Sequence, residues 1–169
     1  MSSEKLKIQE VGSKFLIADR LKDLTKLSEF LEANKLTPRD TKSGGTWAVR
    51  YKNKAVCHVR LNDNECKWSV QFTHFTREKW FVDYDKYITD DNLKQFVWNN
   101  LHTSPSPNPN CIRRGCTGIQ SINILGIEHK SVCRCVGVST QNPNSAELEN
   151  IMKLVVIIKQ YINDLTTAN

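Results

Sequence analysis

Residues 47–73 read W-A-V-R-Y-K-N-K-A-V-C-H-V-R-L-N-D-N-E-C-K-W-S-V-Q-F-T, and the alternation within them decides the fold. Trp47, Val49 and Tyr51 alternate with Ala48, Arg50 and Lys52. Ala55, Cys57, Val59 and Leu61 alternate with Val56, His58 and Arg60, and Trp68, Val70 and Phe72 with Lys67, Ser69, Gln71 and Thr73. Successive side chains on a strand point to opposite faces, so a period of two means one buried and one solvated face. Lys52-Asn53-Lys54 and Asn62-Asp63-Asn64-Glu65 supply the turns. The stretch therefore predicts a three-stranded antiparallel meander. Trp47 and Trp68 belong to its apolar face, and Cys57 there reads as a small buried hydrophobe.

The other face gathers Arg50, His58, Arg60, Lys67, Gln71 and Thr73. Cationic and hydrogen-bonding side chains on one sheet face suit phosphates or another anionic ligand. The face lacks the exposed aromatics on which single-strand binders stack bases. The simpler reading is a solvated outer face.

Outward from the meander, helices are expected on both sides. From Asp19, Leu21, Leu24, Leu27 or Ser28, and Leu31 recur at helical spacing, ending near Asn34. Leu36-Thr37-Pro38 then opens an extended stretch. Residues 1–18 are polar with scattered apolar positions and are taken as an N-terminal arm. Beyond the meander, Trp80, Phe81, Tyr84 and Tyr87 crowd one short segment. They either line a pocket with polar tips or seal one end of the core. Thr89 is placed to cap a short helix with Leu93, Phe96, Val97 and Leu101 on its apolar face. Residues 103–110, T-S-P-S-P-N-P-N, form an irregular loop. Two strands are expected over Ile119–Leu125 and Lys130–Val138, with a turn at Gly126–His129. After Asn142-Pro143-Asn144, Ser145 caps a long helix. Its stripe of Leu148, Ile151, Val155, Ile158, Ile162 and Leu165 is widened by Leu154, Val156 and Ile157. Such a helix is deeply buried, or one side offers a surface for a homodimer. The expected fold is a single α+β domain over residues 19–165, an antiparallel sheet with the N- and C-terminal helices on one face.

The most specific chemical signal is C-I-R-R-G-C at 111–116, followed by C-R-C at 133–135. Four of the six cysteines lie here. One reading is a structural zinc held by Cys111, Cys116, Cys133 and Cys135, since four thiolates make a closed tetrahedral site. Cysteines two apart on a strand point the same way, so Cys133 and Cys135 can converge on one ion. Arg113, Arg114 and Arg134 would offset the thiolate charge. A second reading is thiol-redox chemistry, with arginines lowering the thiol pKa, although no C-x-x-C opens a helix. The third is a set of unrelated thiols.

At 169 residues the chain is long enough to bury a sizeable core. Its longest strongly apolar run, Leu154–Ile158, cannot cross a bilayer, and M-S-S-E-K-L-K-I-Q-E has no apolar signal region. Six cysteines without an export signal point to the reducing cytoplasm. The net charge is +6, and residues 1–60 carry that excess with thirteen Lys or Arg against seven Asp or Glu. Histidines 58, 74, 102 and 129 show no paired metal-ligand spacing, and no nucleophile elbow occurs.

The segments W-A-V-R-Y-K-N-K-A-V-C and L-G-I-E-H-K-S-V-C-R-C, with the helix after N-P-N, resemble small bacterial cytosolic domains of the clostridial type. Some of these are distantly similar to the YjbR/CyaY-like α+β fold. The resemblance spans roughly residues 20–163 by element order and implies a fold more than a function. The leading expectation is a non-enzymatic binding module for a small molecule or protein, with a structural zinc. Its ligand would sit near Trp80, Tyr84 and Tyr87, or on the face of Arg50, His58, Arg60 and Lys67. The alternative is a nucleic-acid-associated protein using Arg50, Arg60, Lys67, Arg113 and Arg114, and a thiol-redox protein comes third.

Overall fold

The computed structural model describes residues 7–41, 45–72, 84–101, 119–133 and 137–167, with backbone alone at 119, 120, 122 and 131–133. The architecture is α+β, with helices near both ends of the chain. Chain contacts gather into two compact units, residues 1–71 with 140–169, and residues 72–139.

The first unit holds the meander. Strands β2 (Thr46–Tyr51), β3 (Lys54–Asn62) and β4 (Lys67–Phe72) pair antiparallel in sequence order. Thr37–Asp40, the extended stretch after Leu36, is strand β1 and pairs antiparallel with β2. Strands β5 (Ile119–Ile124) and β6 (Ile127–Cys133) form a separate hairpin, Val138–Gln141 is β7, and the five-stranded order is β1-β2-β3-β4-β7. Lys52 and Asn53 both take positive φ, 45° and 62°. That is the two-residue hairpin turn whose twist matches the flanking strands. One irregularity breaks the alternation: Val49 pairs with Cys57 but Arg50 with Ala55. Val56 is the extra residue of this bulge, and it is fully buried, as is Cys57.

Helices α2 (Ala18–Ala33) and α4 (Ser145–Thr167) are the predicted N- and C-terminal pair, with α2 against β1 and α4 against β3. (Helix α3, Asp91–Asn99, belongs to the second unit.) Leu24, Leu27 and Leu31 of α2 and Leu148, Ile151, Val155, Ile158 and Ile162 of α4 are buried, as are Val49, Val59 and Val70 of the sheet. Tyr51 shows which face α4 covers: its hydroxyl is 3.0 Å from Asn163 Oδ1, and Lys159 Nζ stands 5.3 Å from its ring centroid. Lys159 also donates to the carbonyl of Asn34 at 2.7 Å, closing the C-terminus of α2. Within the stretch expected as an arm, Ile8–Gly12 forms a short helix, α1, in contact with α2. Ser28 Oγ donates to Gln9 Oε1 at 2.9 Å, and a Cβ on Gly12 would stand 2.6 Å from Leu24. Gly12 thus lets α1 approach Leu24 closely, and a side chain there would make the Leu24 methyl shift.

The second unit contains α3 (Asp91–Asn99) and the hairpin of β5 (Ile119–Ile124) and β6 (Ile127–Cys133). Asp90, one residue after the expected Thr89, caps α3 by accepting from the backbone N–H groups of Asn92 and Leu93. The hairpin turn lies at Leu125-Gly126, earlier than expected, because both residues take positive φ and Asn123 Oδ1 accepts from Gly126 N–H. The return strand consequently starts at Ile127. Trp98 Nε1 donates to the Ile124 carbonyl at 2.8 Å, tying α3 to β5.

Candidate functional site

The sheet face opposite α2 and α4 gathers the predicted cations. Pairing sets His58 opposite Ala48 on β2 and Gln71 on β4, and Arg60 opposite Thr46 and Ser69. Lys67 pairs with Asn62, and Arg50 with Thr37 of β1 and Ala55 of β3. Residues 46, 48 and 50, then 58, 60 and 62, then 67, 69 and 71 therefore share one face, so Arg50, His58, Arg60 and Lys67 come together as expected from alternation. Strand β1 adds a cation that sequence patterning missed. Arg39 pairs with Ala48 and stands in the same row as His58. Its four-residue strand is too short to show a period, so only the register reveals it.

Arg39, Arg50 and Arg60 are exposed, and His58 and Lys67 half-buried. Arg50 Nη1 donates to the Asn53 carbonyl at 3.2 Å, which anchors one end of its guanidinium. Lys67 Nζ lies 3.1 Å from Glu65 Oε2 at the surface, an ion pair of little energetic weight. His58 is the unusual group. Among the described residues its Nδ1 is buried without a hydrogen-bond partner. Burial, then Arg60, then Arg50, hold its pKa below the ordinary 6.5. The imidazole is thus neutral at pH 7 and available to donate from one nitrogen or accept at the other.

A shallow depression of about 210 Å³ lies at the end of this face, lined by Thr46, Arg60, Asn62, Lys67, Ser69 and Gln141. It is smaller than the roughly 300–1,000 Å³ of pockets for drug-sized ligands, and it suits one compact polar group. Two wider clefts occur in the same unit. One of about 570 Å³ runs between α1 and Leu61–Asp63, and one of about 700 Å³ along the solvent side of α2. Neither brings cations together as the sheet face does.

The remaining predicted site residues divide by location. Tyr84 is fully buried, as a core-sealing residue is, and Tyr87 is half-buried with Lys86 Nζ 5.0 Å from its ring centroid. Trp80 lies outside the described residues, as do Thr73, Arg113, Arg114, the 103–110 loop, Cys111, Cys116 and Cys135. Cys133 is described by its backbone, which ends β6 opposite Ile119. Among the described residues no group of three His, Cys, Asp or Glu is placed to hold a metal ion. Cys57 and Cys66 are free thiols. Burial pushes the Cys57 thiol up to about 12, which makes it inert as a nucleophile. Among the described residues of α4, the exposed large apolar side chain is Val156, a narrow basis for a dimer surface. No described helix is long and apolar enough to cross a membrane.

No family model matches this chain, and neither does any curated protein or solved structure. The functional reading rests on the site.

Proposed function

We propose that this chain is a non-enzymatic binding module whose basic sheet face takes an anionic, phosphate-bearing ligand. The observation that carries the reading is the convergence of Arg39, Arg50, Arg60 and Lys67 around a neutral His58 on one face. Phosphate oxygens take charge-assisted hydrogen bonds from guanidinium groups, and Arg60 and Lys67 border a depression sized for one such group. Thr46, Ser69 and Asn62 add neutral hydrogen-bonding groups at its rim. Calorimetric titration with tripolyphosphate tests this. Binding is expected, weakened about tenfold in Arg60→Gln, equivalent to about 1.4 kcal/mol. No binding heat, or an unchanged affinity in Arg60→Gln, removes the reading.

The structural zinc belongs to the same proposal. It is supported by the C-x4-C and C-x-C spacing, and by a hairpin that sets the Cys133 backbone opposite Ile119, three residues after Cys116 in the chain. A cytosolic setting and kinship with the clostridial-type, YjbR/CyaY-like domains are supported by the clustered thiols and by the element order.

A further inference from the structure

Resting on the anion-binding reading, we infer that the ligand of the basic face is the phosphate backbone of duplex DNA. The strand register arranges the cations in a progression. Four successive rows cross the face: Thr37, Arg50 and Ala55; then Arg39, Ala48, His58 and Gln71; then Thr46, Arg60 and Ser69; then Asn62 and Lys67. Each row holds one cation, and none holds an acid. From the second row onward the cation moves from β1 to β3 to β4, so the stripe runs diagonally across the sheet.

Rows two residues apart on a strand are separated by about 6.8 Å and neighbouring strands by about 4.8 Å, so successive cations stand about 8–12 Å apart and the stripe is about 22 Å long. Duplex DNA carries a phosphate about every 3.4 Å of axial rise on each strand, so a phosphate lies within reach of every cation along such a stripe. A single compact anion would use the depression at Arg60 and Lys67 and leave Arg39 and Arg50 without a role. A polyanion uses all four. The same rows contain no Phe, Tyr or Trp. Single-strand binders gain much of their affinity by stacking bases on aromatic rings, which this face does not offer. A duplex has its bases already stacked and presents phosphates outward, so cations and hydroxyls suffice. Thr46, Ser69 and Gln71 are side chains of the kind that donate to phosphate oxygens alongside arginine. Contacts of this kind fix a protein's position on the duplex and carry no sequence information directly.

The experiment is fluorescence anisotropy of the full chain with a labelled 20-base-pair DNA duplex of arbitrary sequence, from 50 to 200 mM NaCl. Four phosphate contacts predict a log–log salt slope of about −3.6, hence a loss of affinity of about 10²-fold over that range. Arg39→Gln, Arg50→Gln and Arg60→Gln each lower the slope by about 1. Lys26→Gln, an exposed charge on α2 across the sheet, leaves it unchanged. These three arginines are exposed, and circular dichroism confirms that the variants fold; the wild-type slope decides the matter if one does not. Equal loss of slope in Lys26→Gln would mean diffuse attraction and overturn the inference. Tighter binding to a single strand or to an RNA duplex would do the same. Tripolyphosphate binding without duplex binding overturns the DNA assignment and leaves the anion reading standing, whereas loss of both removes both.

Discussion

His58 and Gly45 show how much single positions on this sheet are constrained by their neighbours. The folded protein binds a proton at His58 less readily than the unfolded chain does, because burial and then Arg60 and Arg50 disfavour the imidazolium. Its contribution to stability is therefore complete above the unfolded value near 6.5, and it is lost as pH falls through the lowered folded value. Urea midpoints measured at pH 7.5 and 5.5 should show a smaller drop on acidification in His58→Gln than in the native chain. Equal drops would show that the orphaned Nδ1 carries no linkage. Gly45 has φ +66°, and a Cβ there would lie 2.6 Å from the Leu61 carbonyl oxygen. The same glycine accepts the Leu61 N–H at 2.7 Å, so it lets the chain close onto β3 just before Thr46 enters the basic face.

At the scale of elements, the start of α4 is set by Asn144 and not by Ser145. The Asn144 side chain accepts from Ala146 and Glu147 N–H at 3.0 Å each, and Glu147 Oε2 accepts from Asn144 N–H at 2.9 Å. This reciprocal pair satisfies donors that a helix start otherwise leaves open. Asn144→Ala is expected to cost about 0.5–2 kcal/mol, measurable as a lower urea midpoint with an unchanged slope. Ser145→Ala should be close to neutral by the same measurement. The one-residue displacement has a physical reason. Ser and Asn are both good caps in sequence, and only the backbone conformation reached after Pro143 decides between them. The hairpin of β5 and β6 shows the same limit. Leu125 is an unpromising residue for positive φ, and in the sequence the glycine alone signals a turn, which points to Gly126–His129.

For the whole molecule, two candidate chemistries lie in separate stretches of the chain. The basic face is built from residues 37–71, and the cysteine quartet from residues 111–135. Metal content with a free-thiol count, on protein purified under reducing conditions, tests the second. One zinc per chain is expected, with both the metal and folding stability lost in Cys133→Ser, since structural zinc binding is folding free energy. Four reactive thiols and no metal would replace the zinc by thiol-redox chemistry.

The sequence alone determined the class of the molecule. Alternation over 47–73 specified the meander and its two faces, because the period of a strand is fixed by backbone geometry. Apolar spacing over 19–34 and 145–165 specified the two helices that cover one face, because an unpaired apolar stripe must be buried. Arg50, His58, Arg60 and Lys67 were legible as one face for the same reason. The tertiary structure decided what patterns cannot carry. It made Thr37–Asp40 the fourth strand of the meander and so brought Arg39 beside His58. It skipped Val56 at the bulge, which buries two consecutive residues of β3 while keeping Arg50 on the basic face. It also left a neutral histidine among cations. Each of these depends on pairing between residues distant in the chain, and register is a property of two strands that neither one encodes by itself.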